Sequence, residues 1–191
     1  YVLALANTLQ YQEAVIEMAD LPDENIESGE VPVANYVFDH LTENAPDATF
    51  LRIALPYFAT QASLPGSETR LRVAERFLAL GFADMARQIL DRPAIGPTDR
   101  EARLVAAELA VLEGRPRNAL AQLLDITGDD ADALRARAFE RLEEFDRARS
   151  LYDALEDSQS ANEMALLERD WAFLQASEVE SLAALANERV A

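Results

Sequence analysis

Three times in this chain an alanine is followed seven residues later by a position suited to ending a helix, and five residues after that by a second alanine. Ala74, Gly81 and Ala86 form the first set, Ala107, Gly114 and Ala119 the second, and Ala136, Glu143 and Ala148 the third. The steps from one centre to the next are 33 and 29 residues. Gly81 lies within "LALGFADMARQIL", a stretch otherwise suited to a helix. A glycine inside a helix costs about 1 kcal/mol relative to alanine, so Gly81 is better placed in a turn between two helices. There its freedom at positive φ ends one helix and reverses the chain. The alanines on either side let two antiparallel backbones approach closely. Leu90, Leu123 and Tyr152 each lie four residues beyond the last alanine, where a large apolar side chain is expected to fill the gap to the next hairpin. One such unit cannot bury its apolar face alone, so units are expected to stack.

Composition agrees with an all-helical chain. Half of the 191 residues are hydrophobic and only 7% are aromatic, with alanine and leucine dominant. That mixture favours helices over sheets. Breaks at Gly81, Pro93 to Pro97, Gly114 with Pro116, and Gly128 interrupt any long apolar heptad, which excludes one continuous coiled coil. No apolar run approaches the roughly 18 residues that would span a bilayer. No basic region followed by an apolar one marks a signal peptide. The chain opens at Tyr1 on residues already patterned as a helix, which suggests a fragment or a processed product.

The formal net charge is −18. A field of that sign repels phosphate backbones and anionic membrane surfaces, which argues against nucleic acid as a partner and favours basic ones. It also serves plain solubility. Residues 1–69 carry eleven acids against the single Arg52, while the remaining residues mix both signs. All 17 basic residues are arginine. With so much alanine, this reads as GC-rich coding and a bacterial source, in cytoplasm or periplasm. The absence of cysteine excludes disulfide and thiolate chemistry.

Along the chain, residues 1–20 read as one helix, 21–32 as an acidic loop, 33–44 as a helix, and 47–63 as a helix that Pro56 kinks or shortens. Residues 158–176 place Met164, Leu167, Trp171 and Leu174 at helical spacing, and 177–189 make a last helix. Hydroxyl–carboxylate capping boxes are expected at Thr98 with Glu101, Ser160 with Glu163, and Ser177 with Glu180. The domains expected are an acidic helical region over 1–66, three repeats over 67–157, and a C-terminal capping hairpin over 158–191.

The small residue, the glycine seven later and the alanine five after that resemble the tetratricopeptide repeat, over about residues 67–157. The resemblance implies an α-solenoid of stacked antiparallel helical hairpins whose first helices line a concave groove. Mapped onto this chain, groove positions are Glu68, Leu71, Glu75 and Leu78, then Glu101, Leu104, Glu108 and Val111, then Asp130, Ala133, Arg137 and Glu140. Chaperone-type members clamp a C-terminal carboxylate with basic residues and Asn at such places. Here Leu71 and Leu104 stand at a key clamp position and lysine is absent, so such tails are not expected to bind.

Other chemistry has little to work with. His40 is the one histidine; Asp39 and Glu43 flank it, but nothing nearby supplies a nucleophile or an oxyanion donor. A calcium loop starting at Asp23 fails, because its sixth position is Ser28 and its twelfth Ala34. No cofactor or metal is implied. The expectation is a non-enzymatic protein–protein interaction scaffold, a module of a larger bacterial protein, binding a peptide or helix in an acidic and apolar groove. Two other readings stand beside it. One is the helical accessory domain of a cell-wall or secretion-related enzyme whose catalytic part lies outside this chain. The other is a self-associating array, a homo-oligomer.

Overall fold

The computed structural model describes residues 1–19, 33–60, 65–91 and 100–190. Among these residues there are thirteen helices and no strand, so the protein is all-α. Two compact units are formed, Tyr1–Val105 and Ala106–Ala191. The division falls inside the stretch read from sequence as three repeats, and not at residue 66 or 157.

The first unit contains α1 (Val2–Asn7), α2 (Tyr11–Ala19), α3 (Val33–Asn44), α4 (Asp47–Thr60), α5 (Ser67–Ala79) and α6 (Ala83–Leu90). The odd-numbered helices α1, α3 and α5 touch in series, as do the even-numbered α2, α4 and α6. Aromatic rings fill the space between them. Phe38 lies 4.5 Å from Tyr57 and 5.0 Å from Phe58, and Phe50 lies 5.0 Å from Phe77. Tilted and edge-on ring pairs of this kind add to the area they bury. The helix α4 runs through Pro56 without ending there.

The second unit holds α8 (Pro116–Gln122), α9 (Asp129–Arg141), α10 (Phe145–Ala154), α11 (Ser158–Glu168), α12 (Trp171–Gln175) and α13 (Glu180–Val190), with the later residues of α7 (Arg100–Leu112). From α8 onward each helix packs on the next. Ala136, Ala148, Tyr152, Ala161 and Met164 form one buried cluster, and Ala165, Leu174 and Ala186 another. The tryptophan, Trp171, packs half-buried against the latter.

One turn recurs throughout. Leu9, Gly81, Gly114, Glu143, Glu156 and Arg169 all have φ between 60° and 82°. At each, two backbone bonds close the helix in the Schellman pattern. At Gly81 these are Gly81 N–H to Leu78 O at 2.9 Å and Phe82 N–H to Phe77 O at 2.8 Å. At Glu143 they are Glu143 N–H to Glu140 O at 3.0 Å and Glu144 N–H to Phe139 O at 2.9 Å. Five residues beyond each left-handed residue stands a fully buried side chain: Ala14, Ala86, Ala119, Ala148, Ala161 and Leu174. The alanines seven residues before Gly81, Gly114 and Glu143 are fully buried too. Glu143 thus takes the conformation of the glycines with which the repeat aligns it.

Arginines finish several helix ends. Arg76 of α5 donates to the Leu41 and Thr42 carbonyls at the end of α3, at 2.9 Å for Leu41, and pairs with Asp47 at 3.0 Å. Arg135 of α9 donates to the carbonyls of Leu123 and Ile126 and pairs with Asp132. Arg149 of α10 reaches Glu168 and Asp170 at 3.3 Å each, where α11 ends. The planar fork of arginine reaches two acceptors at once, which the single ammonium of lysine does less well.

Several expectations need correction. Residues 1–20 are not one helix, because Leu9 turns the chain between α1 and α2. Thr8 reinforces the break by donating its hydroxyl to the carbonyls of Ala4 and Leu5 at 3.0 and 3.1 Å. Residues 158–176 are likewise split at Arg169, and Leu167 is 58% exposed instead of lying on a buried stripe. The segment expected as a capping hairpin, 158–191, holds three helices among its described residues. The cap of α11 is Asp157, which accepts from Ser160 N–H at 3.1 Å, in place of Ser160 itself. Ser177 accepts from Val179 N–H at 3.2 Å, ahead of α13 and in place of capping it with Glu180. Leu90 is only half-buried, and Ile89 takes the interior position. The acidic loop, the Pro93 to Pro97 turn and Thr98 lie outside the described residues.

Candidate functional site

The four groove positions of the first mapped repeat do not form a surface. Leu71 and Leu78 are buried at 3% and 4% exposure. They belong to the face of α5 that packs inward, with α3 and α6 against that helix. A partner cannot reach them without opening the unit, so they are structural residues and not contact residues. Glu68 and Glu75 are exposed, and Glu68 is tied to Arg72 one turn along. Glu101 is exposed and Leu104 half-buried.

The second unit does bring groove positions together. Glu108, Val111 and Leu112 of α7, Arg137, Glu140 and Arg141 of α9, and Tyr152 of α10 line one cleft of about 260 Å³. Spacing explains the meeting. Glu108 and Val111 lie one turn apart on α7, Arg137 and Arg141 one turn apart on α9, and residues three or four apart share a helix face. Asp130 and Ala133, mapped to the same face, do not line the cleft.

The cleft has a defined polar wall. Tyr152, 7% exposed, donates its phenol to Glu140 Oε2 at 3.0 Å. Burial, then the Glu140 hydrogen bond and charge, push this phenol well above its usual range, so it stays a donor. Arg137 Nη1 lies 3.8 Å from Glu108 Oε1. At that separation, on a half-solvated pair, the attraction is worth about 0–1 kcal/mol and the partners are readily exchanged. Val111 is buried beneath, while Leu112 is 51% exposed. The two acids face two arginines, so this cleft is not itself acidic, contrary to the groove expected from sequence. Leu112, Arg141 and the Tyr152 hydroxyl were not legible as site residues. Leu112 falls outside the mapped groove positions, and Tyr152 reads only as apolar filler.

His40 is occupied structurally. Its Nδ1 lies 3.0 Å from the Tyr11 hydroxyl, and its ring stacks on Tyr36 at 6.1 Å. Tyr36 in turn donates to Asn7 at 2.5 Å. These contacts tie α1, α2 and α3 together around one imidazole. Among the described residues, no three acidic or histidine side chains are grouped to hold a metal ion, and no helix is long and apolar enough to cross a membrane.

Comparison with protein families, with curated proteins and with solved structures finds no match to this chain.

Proposed function

We propose that this protein is a non-enzymatic scaffold of tetratricopeptide-like helical hairpins, stacked as an α-solenoid, that binds a segment of a partner protein. The observation that carries this reading is the cleft of α7, α9 and α10. It gathers Glu108 and Arg137, which occupy mapped groove positions one hairpin apart, around the half-exposed Leu112. The serial packing of odd and even helices in the first unit supports the stacked arrangement.

The chemistry of the cleft describes its occupant. An apolar side chain of the partner covers Leu112, Val111 and the Tyr152 ring. Charged groups beside it exchange with the loose Glu108–Arg137 pair, while Glu140 stays oriented by Tyr152. The chain's excess of acids draws partners of basic overall charge and speeds their encounter.

A photo-crosslinking residue at Leu112, with a control at the exposed Gln88 in the other unit, tests the reading in source cells. The expected result is a discrete protein adduct from position 112, lost on reversing Glu108→Arg and Arg137→Glu. Equal adducts from both positions, or an adduct indifferent to the charge reversal, sink it.

A further inference from the structure

Two pairs of arginines stand four residues apart in this chain, Arg72 with Arg76 on α5 and Arg137 with Arg141 on α9. Like charges at that spacing share a helix face and repel. On α5 the repulsion is answered by acids. Arg72 reaches Asp39 at 3.0 Å and also pairs with Glu68, and Arg76 reaches Asp47 at 3.0 Å. On α9 it is not. Arg137 has only Glu108, at 3.8 Å, and Arg141 makes no hydrogen bond or ion pair among the described residues. The helix dipole favours a cation in the last turn of α9, where Arg141 stands, yet the Arg141 guanidinium bonds none of the last carbonyls.

Both α9 arginines line the cleft of α7, α9 and α10. The two acids of that cleft are already engaged, Glu140 by the Tyr152 phenol at 3.0 Å and Glu108 by Arg137. Arg141 is left as the one charged group of the lining without a counter-charge, and the exposed Leu112 lines the same cleft.

We propose that the partner segment carries an Asp or Glu side chain whose carboxylate bridges Arg137 and Arg141, close to the apolar residue that covers Leu112. The inference rests on the reading of this cleft as the partner site and adds the acid to it. A carboxylate accepts from two guanidinium groups at once and removes the repulsion between them. A single negative charge fits, because Glu108 shares Arg137 and only Arg141 is unanswered; a phosphoryl group would bring more charge than that. The whole-chain charge of −18 opposes an acid approaching anywhere else. On a partner of basic overall charge, one acid at this place therefore sets the register of the bound segment.

The test is an NMR titration of the full chain with three capped dipeptides, Ac-Leu-Glu-NH2, Ac-Leu-Gln-NH2 and Ac-Leu-Lys-NH2. The glutamate peptide is expected to shift the Arg141 Nε–H and Leu112 methyl signals together and saturably. It should bind about three-fold or more tightly than the glutamine peptide, the size expected of an exposed ion pair. The lysine peptide is the one that the chain's overall field would favour, so a preference for glutamate reports the two arginines alone. Arg141→Gln, at an exposed position, should abolish the preference and keep the Leu112 shifts. Equal binding of the glutamate and glutamine peptides with Leu112 shifted overturns this inference and leaves the cleft as a partner site. Tightest binding of the lysine peptide, or a glutamate preference that survives Arg141→Gln, overturns it in the same way. No Leu112 shift with any peptide up to about 10 mM, which covers millimolar dissociation constants, overturns both the inference and the reading beneath it.

Discussion

The Arg76 guanidinium lies 4.5 Å over the centre of the Phe50 ring while its nitrogens hold the last carbonyls of α3. One side chain thus joins three helices, since Phe50 belongs to α4 and Arg76 to α5. Arg76→Ala is expected to cost about 3 kcal/mol, from charge-assisted hydrogen bonds and a partly desolvated cation–π contact. Arg76→Lys keeps the charge and loses the fork, and should cost about half of that. Amide exchange in the last turn of α3 reads both variants directly. Protection unchanged in Arg76→Ala would show that the carbonyls do not depend on it.

The recurring turn makes a signed prediction. Glu143, Glu156 and Arg169 occupy a left-handed conformation that costs an L residue about 1 kcal/mol. Glu143→Gly should therefore raise stability by about 1 kcal/mol, and Gly81→Ala should lower it by a similar amount. A β-carbon at Gly81 meets no atom within 4 Å, so the second effect is purely one of backbone conformation. Denaturation midpoints that move together in the same direction would contradict the assignment.

Alkaline pH should destabilise the fold through its tyrosines. Burial raises the Tyr11, Tyr57 and Tyr152 phenols above the ordinary value near 10. Between the unfolded and folded values the native chain binds more protons, so stability is complete below about pH 10 and falls as pH rises through that window. Absorbance titration of the folded protein should show these three phenols ionising at higher pH than free tyrosine, with the difference lost on unfolding. Tyr152→Phe should flatten the alkaline decline while costing about 1 kcal/mol at neutral pH through the hydrogen bond to Glu140. A decline of unchanged steepness in that variant would remove Tyr152 as a contributor.

The alanine five residues after each turn should resist enlargement. Ala148 is fully buried between Ala136, Tyr152 and Ala161. Ala148→Leu forces extra volume into that contact and should cost about 1–3 kcal/mol or more, whereas the exposed Ala154, near the end of the same helix, should accept leucine with little change. Equal thermal shifts in the two variants would mean that helix content, and not close packing, sets the stability.

The turns at Gly81, Gly114 and Glu143 were legible because glycine and alanine are placed by sterics that act on every chain. Leu9, Glu156 and Arg169 adopt the same turn with residues that carry no such signature, so residues 1–20 and 158–176 each looked continuous. There the tertiary packing of Ala14, Ala161 and Leu174 decides the conformation, and local preference yields. Part of the site was legible for a similar reason. Helical spacing placed Glu108, Val111, Arg137 and Glu140 on shared faces, and they do meet. It could not show that Leu71 and Leu78 face inward, because that depends on α3, which lies some 30 residues earlier in the chain. Nor does spacing reveal Arg76, Arg135 and Arg149 as helix-end partners, since each acts across helices.

At Gly81 and Gly114 the position that a side chain would occupy looks out on empty space. Extra chain inserted at the Gly81 corner, where α5 packs on α6, leaves the buried Ala74 and Ala86 in place and adds only a slowly growing loop entropy. That corner is thus a natural graft point. A reporter loop or an epitope spliced there would let the protein be followed in cells with no residue of the cleft of α7, α9 and α10 altered.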